Sequence, residues 1–286
     1  MKRIATLLLT AAALCVAVSA FANPNPNSDF VHTYIYADCP TPFSTLTLTN
    51  NYPAFIQFTD NHICPSANFE NLHNWSFSSD GGVTETVFNN ADAYRFGFDF
   101  QISGPVGGVT GPGDGLAEGG LRSSPWWGQD TEGRINVKVT NPIDASNGEI
   151  ACFGGYMPFY SFTVQNGLHY HLGDVIHLEV IIKPNSLSQL DPGTAEYVVR
   201  LNGTTYASGP LAFGPANPND PPHGTYGPED DGRAGGVFAP FVGQPPGNTL
   251  GAGPGTVTGT FMNVFFTTLP TASQHSTWGQ LKSLYR

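Results

Sequence analysis

The chain has 286 residues, with 34 glycines, 24 prolines and 20 phenylalanines, and only 12% of its residues are charged. This balance favours turns and strands over helices. The formal net charge of −11 at pH 7 repels phosphate backbones, and the few lysines and arginines are scattered, which argues against nucleic-acid binding.

The first 22 residues have the pattern of a cleaved signal peptide. Lys2 and Arg3 precede an apolar run from Ile4 to Val18, and Ala20-Phe21-Ala22 supplies the small-x-small pattern that signal peptidases cut after. The run is shorter than the about 20 apolar residues of a membrane span, so an uncleaved anchor is the weaker alternative. We therefore expect a secreted or periplasmic protein that begins near Asn23 and has no membrane span.

Three cysteines follow the signal peptide, at Cys39, Cys64 and Cys152. An oxidising compartment allows one disulfide and leaves one thiol. We predict a Cys39–Cys64 bond, because it closes a local loop and would contribute about 3 kcal/mol in the loop-entropy model. Cys152 lies in an apolar stretch and is predicted to be a buried, unreactive side chain.

Alternation of apolar and polar residues predicts strands along much of the chain. The clearest case runs from Tyr94 to Ile102, and the pattern returns over residues 135–139, 176–182 and 197–201. Asn202-Gly203 is a tight-hairpin signal, followed by a further strand from Thr204 to Tyr206. Short strands separated by Gly/Pro turns, without helical periods between them, predict an all-β protein with an antiparallel β-sandwich and little helix.

The strand over residues 176–182 also predicts which side chains face the core. Side chains alternate between the two faces of a strand. We expect one set to face the core, namely Ile176, Leu178, Val180 and Ile182, and the other to point out of the sandwich, namely His177, Glu179 and Lys183.

The stretch from Glu118 to Arg134 carries the predicted ligand-binding residues. It places two indoles beside carboxylates and guanidinium groups, and sugar recognition uses aromatic faces together with charged planar groups. The residues are Glu118, Arg122, Trp126, Trp127 and Arg134. The competing interpretation is that both tryptophans pack in the core or cover a loop. We expect at least one indole to face solvent beside Arg122 or Arg134.

Metal binding is only weakly indicated. His169 and His171 would share one side of an extended segment, but no third ligand stands at an obvious spacing, so exposed edge histidines are the alternative. Two oxygen-rich loops are candidates for Ca²⁺, Asp144 to Glu149 and Glu229 to Asp231, although neither fits an EF-hand and acidic turns are common. We predict no metal site and no cofactor, with Ca²⁺ as the alternative.

Two stretches lack strand patterns. Residues 213–255 are crowded with Pro, Gly, Asn and Asp, and a loop of this length is either a rim over a binding face or slack chain. Trp278 to Tyr285 has helical spacing and is predicted to be a short helical tail. The expected organisation is a signal peptide over 1–22, an extension packed on the sandwich over 23–68, a sandwich over 69–269, and a linker with the tail over 270–286.

The hairpin residues carry a resemblance to a known superfamily. The segment from His177 to Lys183, followed after a polar loop by Glu196 to Gly203, resembles the central hairpin of concanavalin A-like jelly rolls, including laminin-G-type domains. The strands Tyr94 to Ile102 and Thr256 to Thr267 suit the jelly-roll order, in which the last strand returns beside the first. The resemblance covers residues 69–268 and implies two curved antiparallel sheets. Residues 118–162 are also similar to segments of secreted bacterial proteins, a likeness that implies no activity.

Within this superfamily many members bind glycans, and a minority hydrolyse or eliminate polysaccharides, so the fold alone does not choose between them. Jelly-roll glucanases carry three acidic residues on one strand, whereas here Asp130 and Glu132 lack the third. Jelly-roll lyases use a neutralising side chain with a His or Tyr base, and the nearest equivalents here are Arg122, His177 and Tyr170. The lyases' Gln-x-His and Tyr-x-Lys pairs are absent from this sequence.

The sequence therefore favours a secreted module that binds a carbohydrate or another surface polymer without catalysis. A polysaccharide-active enzyme, either hydrolase or lyase, and a structural or surface-assembly protein are the alternatives.

Overall fold

The computed structural model describes residues 24–34, 45–62, 72–88, 92–104, 115–123, 133–140, 148–154, 157–184, 193–213, 233–240 and 255–270. Strands dominate these ranges, and all of their pairings are antiparallel. They form a seven-stranded sheet and an eight-stranded sheet.

The seven-stranded sheet consists of β1 (Ser28–Tyr34), β4 (Leu72–Ser78), β6 (Gly115–Ser123), β7 (Gly133–Thr140), β8 (Glu149–Phe153), β9 (Tyr160–Ser161) and β14 (Ala234–Ala239). Its strand order is β1-β4-β14-β6-β7-β8-β9. After β9 comes one short helix, α1 (Phe162–Asn166), whose N-cap residue Ser161 accepts a hydrogen bond from the Val164 N–H.

The eight-stranded sheet consists of β2 (Thr45–Asn51), β3 (Phe55–His62), β5 (Tyr94–Ser103), β10 (Val175–Pro184), β11 (Gly193–Leu201), β12 (Thr204–Ala207), β13 (Leu211–Ala212) and β15 (Gly255–Thr268). Its strand order is β12-β11-β10-β5-β15-β3-β2, with β13 paired to β11.

The chain crosses repeatedly between the two sheets. Strands β4, β5 and β6 alternate between them, and the late strands β14 and β15 return to central positions beside β4 and β5. This connectivity is that of a jelly-roll β-sandwich, the concanavalin A-like architecture predicted from the sequence.

Aromatic side chains fill the space between the sheets. The alternating residues of β5, which include Phe96, Phe98 and Phe100, are fully buried. They face Trp75 and Phe77 of β4, with ring centroids 5.6 Å apart for Trp75 and Phe98 and 5.2 Å apart for Phe77 and Phe96. Burial of each such side chain contributes about 2–3 kcal/mol, so this aromatic layer holds the two sheets together.

The predicted register of β10 is confirmed, since its four predicted core residues belong to the buried core. The outward direction predicted for Glu179 is confirmed as well, but the side chain is not exposed to solvent. Its side chain lies on the opposite face from those residues, yet it is only 3% exposed. Arg95 donates to both Glu179 oxygens, from Nε at 2.6 Å and from Nη2 at 2.8 Å, and this bidentate pair keeps the carboxylate out of water.

The Asn202-Gly203 hairpin is confirmed as the link between β11 and β12. Both residues have positive φ, at 52° for Asn202 and 80° for Gly203, as a tight turn with two left-handed residues requires.

We expected no strand within residues 213–255, and this prediction is wrong. β14 lies within that range, in the interior of the seven-stranded sheet between β4 and β6. The strand carries Gly235 and Gly236, which hide its alternation. A Cβ on Gly236 would lie 2.3 Å from Trp75 Nε1 and 2.5 Å from Phe261 Cε1. Glycine is therefore required where β14 packs against the aromatic core.

Other predictions have mixed outcomes. Cys152 is confirmed as a free and fully buried cysteine, and burial raises the pKa of its thiol. Cys39, Cys64, the signal peptide and the tail from Trp278 to Tyr285 lie outside the described residues. Among the residues that are described, no helix is long and apolar enough to cross a membrane.

Candidate functional site

The face of the seven-stranded sheet that points away from the core carries an ordered set of polar side chains. One row across the strands, which we call the Arg122 row, runs through Ser76, Gly235, Arg122, Arg134 and Phe153. The neighbouring row, the Asn74 row, runs through Asn74, Val237, Gly120, Asn136 and Ala151. Gly235 and Gly120 add no side chain, so the polar groups on either side of them are separated by bare backbone.

Much of this outer face is shielded from water. Arg122 is 1% exposed, and Asn74 and Ser76 are similarly buried. Burial of a charged or polar group is unfavourable unless hydrogen bonds replace those made with water. The bonding of each buried atom therefore shows what the face is built to do.

Arg122 is only partly hydrogen bonded. Its Nη2 atom donates to Ser76 Oγ at 2.5 Å and to Glu85 Oε1 at 3.2 Å. Arg233 Nε lies 3.4 Å from the other oxygen of Glu85. The Nε and Nη1 atoms of Arg122 are buried and have no hydrogen-bond partner among the described residues. Two unused donors on a buried guanidinium make Arg122 a candidate for binding an anionic group.

Unused acceptors lie in the Asn74 row. Asn136 donates from Nδ2 to Glu118 Oε2 at 3.2 Å, but its Oδ1 has no partner within the described part of the chain. The Oδ1 atom of Asn74, three strands away, is also buried without a hydrogen-bond partner among the described residues. These carbonyl oxygens can accept hydrogen bonds from ligand hydroxyls.

Three of the five residues predicted as ligand-binding are brought together on this face. Arg134 Nη1 lies 3.6 Å from Glu118 Oε1, and Arg134 stands opposite Arg122 in the register of β6 and β7. Arg122 is buried, whereas we expected it to accompany an exposed indole. Trp126 and Trp127 lie outside the described residues, as do Asp130 and Glu132.

Sequence reasoning missed Asn74, Ser76, Glu85 and Arg233. The run Asn74-Trp75-Ser76-Phe77-Ser78 alternates polar and aromatic residues, which is a usable strand signal. Glu85 and Arg233 lie outside the assigned strands, and no local pattern marks them.

The charges on this face differ from those of the whole chain. Eleven lysines and arginines occur in the sequence, two of them within the first 22 residues. Four of the remaining nine lie on or beside this face, namely Arg122, Arg134, Lys138 and Arg233. Four carboxylates are described on or beside it, namely Glu85, Glu118, Glu149 and Asp80, which accepts a hydrogen bond from Ser78 of the same face. The charges on the described part of the face therefore balance, in a chain whose net charge is −11.

The residues weighed for elimination chemistry are not brought together. Tyr170 lies in the core, where its hydroxyl donates to the Asp174 carbonyl at 2.8 Å and accepts from the Ile102 N–H at 2.7 Å. Burial raises the pKa of Tyr170 far above its usual value. His177 lies on the outer face of the other sheet, 2.8 Å from Asp99. Neither is placed to act as a base beside Arg122.

The residues weighed as metal ligands are not gathered into a site in the described ranges, which hold no group of three or more His, Cys, Asp or Glu residues able to bind a metal. His171 is exposed, and its Nδ1 lies 3.1 Å from Asp174. Of the candidate calcium loops, residues 229–231 and 144–147 lie outside the described chain.

No protein-family model matches this chain, and no curated protein matches it. Solved structures do match it. The alginate lyase Aly36B is 14% identical over 86% of this chain and 99% of its own, with a TM-score of 0.42. A seed lectin of Lotus tetragonolobus is 8% identical over 87% of this chain and 96% of its own, with a TM-score of 0.38. An alginate lyase from Alteromonas sp. 272 is 14% identical over 85% and 95%, with a TM-score of 0.34.

Proposed function

We propose that this protein binds an acidic polysaccharide on the outer face of its seven-stranded sheet, and that it does so without catalysis. The observation that carries the proposal is the buried Arg122 guanidinium, whose Nε and Nη1 donors have no partner among the described residues.

The chemistry of the ligand follows from these donors. An ionised acceptor is the strongest partner for a guanidinium, and a planar carboxylate can accept two N–H bonds in parallel. The nearby acceptor oxygens of Asn74 and Asn136 suit hydroxyl groups. A polymer that repeats carboxylates and hydroxyls along its length is a polyuronate, and the two unpartnered guanidinium donors of Arg122 favour it over a neutral glycan.

Binding without catalysis is supported by the state of the described carboxylates. Glu85 is engaged by Arg122 and Arg233, and Glu118 by Arg134 and Asn136. A glycosidase needs a pair of carboxyl groups facing each other across the scissile bond, one of them kept protonated. Glu85 and Glu118 are instead bound by arginine and amide partners, which leaves neither of them free to act as one of such a pair.

The experiment is affinity electrophoresis of the full chain in gels that contain polygalacturonate, alginate, laminarin or soluble starch. We expect the two polyuronates to retard the protein and the two neutral glucans to leave it unaffected. The same sample is incubated with each polymer and assayed for new reducing ends and for unsaturated products. Retardation of the protein by a polyuronate, with neither new reducing ends nor unsaturated products, supports binding without catalysis. Release of either product shows an enzyme, and no retardation by any polymer favours the structural alternative.

A further inference from the structure

Two phenylalanines stand exposed at the end of the Arg122 row. Phe153 of β8 is 39% exposed, and Phe159, which directly precedes β9, is 71% exposed. A large apolar side chain left in water forgoes about 2 kcal/mol of burial, so two exposed phenylalanines on adjacent strands suggest a binding role. The rest of the core shows that the fold buries phenylalanine efficiently elsewhere.

Strand register places the two residues on adjacent strands. Cys152 pairs with Tyr160 across β8 and β9, and the next residues outward from this pair along the two chains are Phe153 and Phe159. Cys152 faces the core, so both rings lie on the outer face. The two exposed side chains therefore lie near each other on one face of the sheet.

These side chains continue the Arg122 row. Phe153 pairs with Arg134, and Arg134 pairs with Arg122. Neighbouring strands are about 4.8 Å apart, so Phe159 lies roughly 14 Å from Arg122 across three strand spacings. The row therefore has a charged end and an aromatic end, separated by more than the width of one sugar ring.

We propose that Phe153 and Phe159 form a stacking platform for a sugar ring of the same polysaccharide chain whose carboxylate binds Arg122. The inference rests on the proposed function. An aromatic face attracts the C–H face of a pyranose, and it selects neither for nor against a carboxylate at that position. The platform therefore contributes to the binding of long oligosaccharides, which reach it, and contributes nothing to short ones held at Arg122.

The test is the dependence of affinity on oligosaccharide length. Oligogalacturonates of two and six residues are titrated calorimetrically into the full chain, into F153A and F159A, into R122Q, and into the control V175A. Val175 is 50% exposed and lies on β10 of the other sheet, so its truncation removes exposed apolar surface far from the row. Thermal midpoints confirm that each variant is folded.

We expect F153A and F159A each to weaken binding of the hexamer about tenfold and to leave the dimer within twofold of wild type. R122Q weakens both lengths, and V175A changes neither. Equal hexamer affinities for wild type, F153A and F159A would overturn the platform while leaving the Arg122 site intact. Equal losses for dimer and hexamer in F153A and F159A would also overturn it. A wild-type chain that binds neither length overturns both proposals.

Discussion

Asp60 and His73 connect the two sheets inside the core. Asp60 Oδ2 of β3 lies 2.8 Å from His73 Nε2 of β4, and both side chains are fully buried. The ring of His73 stacks on Phe58, with centroids 5.5 Å apart. A polar contact in an aromatic core is weak evidence for extra stability, but removal of one partner leaves the other buried without its bond.

We predict that Asp60→Ala lowers the free energy of unfolding by about 3–5 kcal/mol, because His73 loses its buried partner. Urea denaturation monitored by tryptophan fluorescence measures the change. Thr59→Ala, on the solvent side of the same strand, is the control and is expected to change stability by at most about 0.5–1 kcal/mol. If Asp60→Ala costs no more than Thr59→Ala, the contact between the sheets is energetically unimportant.

His177 makes stability depend on pH. Its hydrogen bond with Glu179 raises the pKa of the imidazole, and burial lowers it. Asp99 raises the pKa further, and the nearby Arg200 lowers it. The net pKa of His177 lies above its usual value. The other neighbours are Arg95, which pairs with Glu179, and Phe265, whose ring is parallel to the imidazole. A raised folded-state pKa gives stability that is complete below the unfolded value of about 6.5 and is lost as pH rises through the folded value.

We therefore predict that His177→Gln is less stable than wild type by about 1 kcal/mol at pH 5.5, and that this difference shrinks as the pH rises to 9. Thermal midpoints of both proteins across that range provide the measurement. A difference that stays constant with pH would show that the charge of His177 contributes nothing.

Gly236 is the position where β14 is most constrained by packing. A methyl group there would overlap Trp75 and Phe261, so we predict that Gly236→Ala destabilises the fold by about 3 kcal/mol or more. Gly209→Ala is the control, because no atom lies within 4 Å of its added Cβ and only its positive φ of 69° is penalised. We expect the control to cost about 1 kcal/mol. Similar midpoints for the two variants in urea would contradict the central placement of β14.

Trp126 and Trp127 remain predicted ligand-binding residues. The segment that contains them joins β6 to β7, whose adjoining ends carry the opposed pair Arg122 and Arg134. We predict that alanine at whichever tryptophan is exposed abolishes polyuronate binding and leaves the thermal midpoint nearly unchanged, because a side chain outside the core leaves no cavity. A loss of several kcal/mol of stability with unchanged binding would assign both indoles to the core.

The strands that could be predicted from the sequence are those whose own residues alternate between an apolar face and a polar face. In β5 and β10 one face is apolar and the other polar, so period-2 alternation identified both strands and their core residues. β14 was not predicted because its residues Gly235 and Gly236 do not alternate in polarity. Contacts with neighbouring strands, rather than a local pattern, require these two residues to be small. The burial of Glu179 was not predicted for a related reason, because this burial depends on Arg95 from an adjacent strand.

Only the site residues that lie close together in the sequence could be predicted. Glu118, Arg122 and Arg134 were found because they cluster within 17 residues. Glu85, which contacts Arg122, and Arg233, which contacts Glu85, come from distant parts of the chain. Such long-range partners are set by strand order, and a single sequence does not display that order.

The most direct test of the proposed site is the affinity of hexagalacturonate for wild type, Arg122→Gln and the control Lys183→Gln, measured by calorimetry at two salt concentrations. Lys183 is an exposed cation on the other sheet, so its loss removes one charge without touching the site. We predict that Arg122→Gln, verified as folded by its thermal midpoint, binds at least tenfold more weakly than wild type, and that Lys183→Gln binds within twofold of it. Equal affinities for wild type and Arg122→Gln would contradict the proposed site.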